Sequence, residues 1–600
     1  MAAVWITSIA NTNQHGVFAI DVPPPAQIQP TGTGYAAMAA QFPWGPDDET
    51  PYEVTSMGEA KQLFAPAGSD RLSTGYLALL GKAFANLALA RVMGTNATKS
   101  SATLDDGTDD IVTVEAKYKG PMGDDISLEV KDATDGDADH WNLVATLTGD
   151  SGNTVETFHN LNCSGTGADA LGSTQADIAQ RVLIGAITKL VAGRPDNGTY
   201  TMSGGSTGTN VAAAKNIPNG SSVNVLSATA KTAGSGGNSI TITIATASDA
   251  DANHFNVTIT DGVTPQTLTN QNISGTGSDV IGTATLVTFA KLVNGRPANG
   301  TYTLTGGVSG AISAARYTAA IAKFEGNKRI RQVFADDCGS SFRPTVNAAL
   351  VAHAEAMGDR IAFINGDSGV SAAATVRTDA ANYSSTRCIY ADPWVYIYDD
   401  TTGSEQLVPG SSFQASVRSQ LSPSTSIAWK SEEVQAMLRG IVRLEYSRGL
   451  AAGTNSEAGV ATFIREESGG HTIEAGVLTI APANPAKRND TRTAMGDYMA
   501  ISLAKSLRPY VDAPNVRATW DLIIPPIHAF LTGLKKAADT DPAHLPHIVD
   551  FALGRVNDAN TRAEIARGEL KLPLQVQTSA GIEKLVFLFQ FGPTVSVTAQ

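Results

Sequence analysis

The stretch RGELKLPLQVQTSAGIEKLVFLFQFGPTVSVTA, Arg567–Ala599, predicts three short β-strands and organises the rest of the chain. In its first run, apolar residues occupy every second position from 570 to 576, which is the pattern of a half-buried strand. Pro573 falls on the polar side and cannot donate to a ladder, so this run is predicted to be an edge strand beginning at Leu570.

The second and third runs of this stretch differ in how much burial they require. Leu585, Phe587 and Phe589 share one face, and the other face is apolar too, so this strand is predicted to be buried on both sides. After the Gly-Pro break, Val595 and Val597 alternate with hydroxyl residues. A strand beyond such a break has no following partner in its own chain, so we expect it to pair with an exposed edge, including one on another molecule.

The N-terminal sequence repeats this arrangement. The run AAVWITSIA, with Val4, Trp5 and Ile6 at its centre, is apolar and β-prone, and a stiff proline-rich connector follows it. Two such strands, one toward each end of the sequence, make strand exchange between subunits the leading hypothesis.

Composition narrows the functional class. The 600 residues are sufficient for several domains, and a net charge of −14 argues against nucleic-acid binding, which needs clustered Lys and Arg. Residues 97–315 hold 11 Lys/Arg and 21 Asp/Glu, whereas residues 484–600 hold 13 and 11. We therefore expect the middle segment to face solvent and the nearly neutral C-terminal segment to make contacts.

No targeting or redox signal stands out. The first Lys or Arg is Lys61, and no apolar run is long enough to span a bilayer, so neither a signal peptide nor membrane insertion is expected. The three cysteines are widely spaced and odd in number, which indicates structural thiols in a reducing cytoplasm rather than disulfides or a metal site.

An internal repeat occupies the acidic middle segment. DGDADHWNLVATL, NCSGTGAD and KLVAGRPDNGTYTMSGG recur as DADANHFNVTI, NISGTGSD and KLVNGRPANGTYTLTGG, so that His140 corresponds to His254 and Arg194 to Arg296. The two copies are predicted to be small β-rich modules, each with four or five strands and one helix. The helix of the first copy is placed in DALGSTQADIAQRVLIGAITKL.

The modules interrupt an α/β pattern. LALARVMG reads as a buried strand whose expected partner is RIRQVFADD, Arg329–Asp337, and from residue 316 onward strands and helices alternate. A long amphipathic helix is predicted over SEEVQAMLRGIVRLEYSRG, and two further helices are predicted between residues 490 and 537. The predicted class is multidomain α+β, with an α/β core and a mixed α/β C-terminal domain.

Three residues of the predicted α/β core follow a protease pattern. Asp337, His353 and Ser412 follow the chain order of a subtilisin-like protease, but His353 lies within a predicted helix, LVAHAEAM, where no glycine brings it to a site. Without a positioned base the Ser412 hydroxyl stays unreactive, so Ser411 and Ser412 are predicted to be helix caps and no catalytic residue is assigned.

Two weaker metal patterns were considered, and no cofactor is predicted. Asp135, Asp137 and Asp139 resemble the start of a calcium loop, but His140 stands where that loop needs glycine. Calcium binding there remains open. His544 and His547 have the spacing of a ligand pair but flank Pro546 and lack a third ligand, so a metal site is not expected.

With these motifs in order, the chain resembles contractile bacteriophage tail sheath proteins. The resemblance rests on AFANLALARVMG, on the β-α-β run to IYADPWVYIYDD, on VPGSSFQASV, and on GELKLPLQVQTSAGIEKLVFLFQF. It covers roughly residues 1–96 and 316–600. It implies an inactive subtilisin-like layer and a non-enzymatic subunit that forms stacked six-fold rings around a tail tube and contracts to drive the tube through the host envelope.

The resemblance also implies partners and domain limits. The partners would be other sheath subunits, a tube protein, and baseplate and terminator proteins, in a virion tail assembled in the host cytoplasm. The predicted domains are an N-terminal arm (1–20), a discontinuous core (21–96 with 316–483), two modules (97–215 and 216–315), a C-terminal domain (484–592) and a C-terminal arm (593–600). The alternatives are a subtilisin-like serine hydrolase, or a non-polymerising adhesin that uses the modules.

Overall fold

The computed structural model describes most of the chain in well-defined elements. The residues it describes are 4–6, 18–20, 35–46, 51–64, 86–148, 153–163, 183–262, 265–399, 403–429, 438, 440–449, 451–466, 469–540 and 547–578. The predicted C-terminal strands beyond residue 578, with Leu585, Phe587, Phe589, Val595 and Val597, lie outside this range.

The chain begins with strands that belong to two different sheets. The elements in order are β1 (Val4–Ile6), β2 (Phe18–Ile20), β3 (Tyr35–Ala40), β4 (Tyr52–Val54), α1 (Met57–Phe64) and β5 (Asn86–Arg91). The alanines of β3 are fully buried. Small side chains let the layers above and below approach the sheet closely.

In its described residues, the first module, called module 1, has seven strands, more than the four or five predicted. They are β6 (Lys99–Asp105), β7 (Asp110–Lys119), β8 (Ile126–Asp132), β9 (His140–Leu147), β10 (Thr154–Asn162), β11 (Ile184–Lys189) and β12 (Gly198–Thr201). They form a three-stranded sheet in the order β11-β7-β6 and a four-stranded sheet in the order β10-β9-β8-β12. One apolar cluster, which includes Trp141, Leu143 and Phe158, draws on both sheets.

The second module, module 2, repeats this architecture strand for strand. Its strands are β14 (Ala214–Pro218), β15 (Asn224–Ala230), β16 (Thr241–Thr246), β17 (His254–Thr260), β18 (Gln266–Asn272), β19 (Val287–Lys291) and β20 (Gly300–Thr303), between the short strands β13 (Asn210–Val211) and β21 (Val308–Ser309). The sheets have the orders β14-β15-β19 and β18-β17-β16-β20. β14 begins just before the predicted module boundary at residue 216.

The helix predicted in module 1 is wrong where the structure describes it. Ile184–Lys189 is a strand that pairs with β7, and its register shifts between Ile184 and Ala186. Because of this bulge, Ile184 and Ile187 are both buried although they lie three residues apart, a spacing typical of a helix. Module 2 likewise has no α-helix among its described residues, and a short 3₁₀ helix (Ser235–Ser239) matches that of module 1 (Pro121–Asp125).

The modules join the sheet at a tightly packed neck, formed by residues 93–98, 206–211 and 305–312. The amide of Gly94 donates to the carbonyl of Thr207 over 2.8 Å, and Asn96 exchanges two hydrogen bonds with the backbone of Thr209. A β-carbon on Gly94 would lie 1.9 Å from the carbonyl oxygen of Gly310. Only glycine permits this approach of the two backbones.

The core resumes after the modules with alternating helices and strands. They are α2 (Ala314–Ala322), β22 (Gln332–Ala335), α3 (Arg343–Met357), β23 (Ile361–Asn365), α4 (Ala373–Ala380), β24 (Cys388–Asp392), β25 (Val395–Asp399), β26 (Ser404–Val408), α5 (Ser411–Gln420), β27 (Ile441–Leu444), α6 (Ala451–Glu457), β28 (Val460–Arg465) and β29 (His471–Ile473).

An eight-stranded sheet forms the centre of the core. Its order is β29-β28-β24-β23-β22-β3-β5-β4, and the six inner strands are parallel, whereas both edge strands run antiparallel. Separate apolar clusters cover its two faces, one with α1 and α5 and the other with α2, α3 and α4. The α+β prediction is therefore confirmed at the level of class, and the subtilisin-like detail stays a prediction.

The predicted partner of β5 is wrong. β5 pairs with β3 in parallel and with β4 in antiparallel, and β3 separates it from β22, which contains the predicted partner residues. The run YAAMAA was not predicted to be a strand, because alanine favours helices and lacks the branched side chain that is typical of strands.

The long amphipathic helix predicted over residues 431–449 is also wrong in its described part. Ile441–Leu444 is a strand that pairs with β25, and the strand follows Gly440, whose φ of 89° no continuing helix allows. β25 and β26 complete this small three-stranded sheet.

The C-terminal unit contains two long helices and a hairpin. Its elements are α7 (Asp490–Leu507), α8 (Arg517–Thr540), β30 (Ile548–Leu553), α9 (Val556–Ala559), α10 (Arg562–Ala566) and β31 (Leu574–Thr578). The two predicted helices are confirmed. None of the helices in the described part of the chain combines the length and apolar character needed to cross a bilayer.

Candidate assembly interface

The predicted N-terminal arm forms a small ribbon within its own chain. Val4, Trp5 and Ile6 pair in parallel with Phe18, Ala19 and Ile20. A parallel ribbon of three residue pairs is too short to be stable alone, and within the described residues no third strand joins it. Among the described residues, both outer edges of the ribbon are therefore without a strand partner.

A second two-stranded ribbon lies in the C-terminal unit. β30 and β31 pair in antiparallel from Ile548 to Thr578, with a bulge between Ile548 and Asp550. One face packs on α7 and α8 through partly buried Phe551, Leu553, Leu574 and Val576. Among the described residues these two strands are the whole sheet, so it too has open edges.

The start of β31 corrects the sequence prediction. The strand begins at Leu574, and residues 570–573 are held by side-chain and loop contacts. Asn560 exchanges hydrogen bonds of 2.7 Å with the backbone of Lys571, and the carbonyl of Pro573 accepts from the Gly554 amide. These contacts satisfy backbone groups that the predicted strand would have paired in a ladder.

An ion pair and a helix cap lie next to the segment before β31. Thr561 and Glu564 form a capping box on α10, and Lys571 lies 2.6 Å from the Glu564 carboxylate. The hydrogen bonds from Lys571 and Thr561 lower the pKa of Glu564 to about 2. These hydrogen bonds link the first turn of α10 to the segment before β31.

Buried ion pairs attach the C-terminal unit to the core. Arg387 makes two hydrogen bonds, of 2.7 and 2.8 Å, to Asp497 on α7. Arg418 on α5 reaches Asp490 over 3.2 Å, and Ser426 also donates to Asp490. Burial raises the pKa of Asp490, which is fully enclosed. Sequence reasoning missed these pairs, because nothing in the sequence links residues so far apart.

The serine-protease constellation is not assembled. Ser412 is fully buried, and its hydroxyl donates to the carbonyl of Pro409 over 2.9 Å. His353 contacts Arg360 over 3.1 Å, and burial lowers the pKa of its ring to about 4. Asp337 accepts a hydrogen bond from Arg343. Each of the three groups therefore has a partner other than the one that catalysis requires.

The prediction that Ser411 and Ser412 cap helix α5 is wrong. Gly410 occupies the N-cap position, and both serines lie inside the first turn. The Ser412 hydroxyl donates backward to a carbonyl, whereas a cap accepts from the amides ahead of it.

Residues of both metal patterns form hydrogen bonds within the chain. Asp135 accepts from Nδ1 of His140 over 2.6 Å, and Nδ1 of His547 lies 2.6 Å from the Ser424 hydroxyl. Within the described ranges, no group of three or more His, Cys, Asp or Glu side chains is placed to hold a metal ion. The three cysteines are free and buried.

Comparisons with known proteins give matches among solved structures alone. Neither a scan against protein-family models nor a search of curated proteins finds a match. A sheath tail protein from Listeria innocua matches over 92% of this chain and 96% of its own, with 11% identity and a TM-score of 0.46. A sheath tail protein from Desulfitobacterium hafniense matches over 90% and 93%, with 12% identity and a TM-score of 0.47.

A third similar structure is an assembly in a defined state. The helical sheath of the anti-feeding prophage in its contracted state matches over 46% of this chain and 74% of its own, with 15% identity and a TM-score of 0.37. The three similar structures are thus two sheath tail proteins and one contracted helical sheath.

Proposed function

We propose that this chain is the structural subunit of a contractile tail sheath and that it polymerises by exchanging β-strands between neighbours. The observation that carries the proposal is the pair of two-stranded ribbons, β1-β2 and β30-β31, which lie toward opposite ends of the chain and have open edges among the described residues. Unpaired edges accept added strands, and two sites per subunit are sufficient to link copies into an extended array.

The arms in this proposal are the strands singled out from sequence. Val595 and Val597 supply the apolar face of a C-terminal arm, and Val4, Trp5 and Ile6 that of an N-terminal arm. The run with Leu585, Phe587 and Phe589 would be the strand of the home sheet that receives a neighbour's arm. Subunits would stack as six-fold rings around a tube, with baseplate and terminator proteins at the ends and the virion tail as their location.

Rigid-body contraction fits the way in which the units are joined. The Arg387–Asp497 and Arg418–Asp490 pairs lie between the core and the C-terminal unit, and moving the two units apart would break both of them. Core and C-terminal unit would therefore move as one body, while the arms keep neighbouring subunits linked. The acidic modules would project outward and the C-terminal unit would face the tube.

The decisive experiment removes the apolar face of the C-terminal arm. We expect the double substitution Val595→Asp and Val597→Asp to abolish tubes and long polymers in electron micrographs of purified protein. Ser596→Asp, on the hydroxyl face of the same strand, is the matched control and should still assemble. Circular dichroism spectra should be the same for all variants. Full sheaths formed by the double variant, or by a chain truncated before residue 593, would refute strand exchange.

The same preparation tests the two alternatives. A serine-hydrolase probe that labels Ser412 would revive the enzyme hypothesis, which the buried and hydrogen-bonded hydroxyl argues against. A uniform monomer at every concentration would favour an adhesin that uses the modules.

A further inference from the structure

A cavity of about 190 Å³ opens at the carboxyl ends of three neighbouring parallel strands of the core sheet. Its walls come from α3 after β22, from the loop after β23, from the loop after β24, and from α4. In open α/β sheets, the carboxyl ends of the strands are the side on which ligands bind, at the point where the strand order reverses. The cavity lies on this side of the sheet, beside three strands that follow one another in order.

Aromatic rings form one part of the wall. Tyr383, Tyr390 and Trp394 all line the cavity and are at least nine-tenths buried. The indole N–H of Trp394 donates to the carbonyl of Gly366 over 2.9 Å, which fixes the ring. A β-carbon on Gly366 would lie 2.1 Å from the Tyr390 hydroxyl, so the wall depends on glycine at that position.

The charged groups around the cavity are unequal in number. Two carboxylates, Asp337 and Asp367, bind the same guanidinium, that of Arg343, over 2.8 and 2.7 Å. Asp392 is matched by Arg448, which makes two hydrogen bonds to it.

The remaining carboxylate, that of Asp379, accepts a hydrogen bond from an uncharged group. Asp379 accepts from the Tyr390 hydroxyl over 2.5 Å, and within the described residues no ion pair reaches it. Three of these carboxylates, Asp367, Asp379 and Asp392, line the cavity with one guanidinium, that of Arg343. Asp337 and Arg448 bind Arg343 and Asp392 from outside the lining. The Trp394 ring already has the Arg343 guanidinium 4.9 Å from its centroid. The excess of negative charge, together with the rings of Tyr383 and Tyr390, suits a further cation.

We propose that this cavity binds a small organic cation, an alkylammonium whose charged end meets Asp379 and whose alkyl chain lies against Tyr383, Tyr390 and Trp394. An ammonium group donates charge-assisted hydrogen bonds to a carboxylate and is attracted to aromatic faces. The volume is close to that of a cavity that accepts a benzene-sized molecule, so it accommodates about six heavy atoms. The inference does not depend on sheath assembly.

The experiment uses putrescine, a diamine of six heavy atoms, with butane-1,4-diol as a neutral probe of similar length. Isothermal titration of the full chain should show saturable binding of putrescine and none of the diol. Asp379→Asn keeps the hydrogen bond from Tyr390 but removes the charge, and it should weaken putrescine binding at least about tenfold. Asp521→Asn, at an exposed aspartate on α8, is the matched control and should bind as the native chain does.

A second variant separates loss of binding from loss of folding. Thr375 is an exposed residue among those that line the cavity, so Thr375→Arg brings a competing cation there without altering the buried wall. It should also weaken putrescine binding. Equal binding of diol and diamine, native affinity in Asp379→Asn, or no saturable binding of putrescine by the native chain up to about 10 mM would each overturn the proposal.

Discussion

Modules 1 and 2 have the same arrangement of strands but differ in how they are attached to the core. Both place a three-stranded sheet against a four-stranded one in the same strand order. The apolar cluster of module 2 is built from residues 213–304 alone, whereas that of module 1 also contains Trp44, from the segment after core strand β3. Trp44 packs edge-on against Tyr118 with ring centroids 5.4 Å apart. Module 1 is thus packed onto the core, and module 2 is held through the neck.

The two modules also differ in surface charge while they keep the residues that the backbone requires. The hairpin tip of module 1 carries Asp105, Asp106, Asp109 and Asp110, and the matching tip of module 2, NGSSVN, has no charged residue. By contrast, Asn160 and Asn270 both have φ of 53°. The backbone amide of each donates to the side-chain oxygen of an asparagine, Asn142 in module 1 and Asn256 in module 2. The comparison shows that backbone geometry was retained in both copies and surface charge was not.

The largest expected effect comes from truncating the central aromatic residue of each module. Trp141 and Phe255 occupy equivalent positions and are fully buried. Trp141→Ala and Phe255→Ala should each lower the free energy of unfolding of their module by about 3–5 kcal/mol. Hydrogen exchange of the full chain should then show lost protection within residues 213–304 for Phe255→Ala. For Trp141→Ala the loss should extend to residues 41–46.

This pair of variants tests the difference in attachment directly. If Phe255→Ala loosened the core as widely as Trp141→Ala does, then module 2 would be coupled to the core beyond the neck. Each variant serves as the control for the other, because both remove one large aromatic side chain at the same position of the same fold.

The repeat itself could be predicted from sequence, and so could most of the α/β core, because both rest on local patterns. Strands β22 to β24 and helices α3 and α5 follow regular apolar periods and clear breaks. The strand at Ile184–Lys189 could not be predicted, because a bulge gives its buried residues a helical spacing. β3 could not be predicted either, since its alanines carry no strand signal.

The candidate sites show the same difference between features that follow from local sequence patterns and features that depend on tertiary packing. The C-terminal arm was predicted from alternation and the N-terminal arm from an apolar, β-prone run. Val4–Ile6 is a strand in the structure, where it pairs within its own chain. The cavity could not be predicted, because Arg343, Asp379 and Trp394 come from three separate elements that meet only when the parallel sheet forms. The ion pairs of α7 with the core depend in the same way on tertiary packing.

The next largest effect is expected at the neck, which both modules share. Gly94→Ala would place a β-carbon against the carbonyl oxygen of Gly310 and near that of Thr207, so the segments must separate. We expect a loss of about 1–3 kcal/mol. Small-angle scattering should show a changed position of module 2, which depends on the neck, and little change for module 1. Gly220→Ala, in open space, is the control. Equal displacement of both modules would contradict the comparison.

A smaller and equal effect is expected at the register shift that both modules have around Asn160 in β10 and Asn270 in β18. Asn160 and Asn270 adopt the left-handed conformation, and their side-chain oxygens accept from Thr134 and Ser248 respectively. Asn160→Ala and Asn270→Ala should each destabilise their module by about 1–2 kcal/mol, mainly through backbone strain. Asn160→Gly, which relieves the strain but not the lost hydrogen bonds, should recover most of the stability. Unequal losses in the two modules, measured by chemical denaturation, would show that the frame is not shared at this point.

The smallest expected effect is a change in the pKa of two histidines, one in each module. It distinguishes a hydrogen bond that both modules have from a charge that only module 1 has. His140 and His254 each donate from Nδ1 to an aspartate, Asp135 or Asp249, over 2.6 Å, and this hydrogen bond raises the pKa of each ring above its ordinary value of 6.5. The resulting stabilisation is present below pH 6.5 and is lost as the pH rises through the raised pKa.

Asp135→Asn and Asp249→Asn should therefore lower the pKa of His140 and His254 in NMR titrations, each without affecting the other ring. Asp139→Asn copies the Asn253 of module 2 into module 1 and removes only a more distant charge. It should shift His140 downward by less than Asp135→Asn does. A shift of His140 that is equal in the two variants would mean that the general negative charge of the loop, and not the shared hydrogen bond, sets the pKa of this histidine.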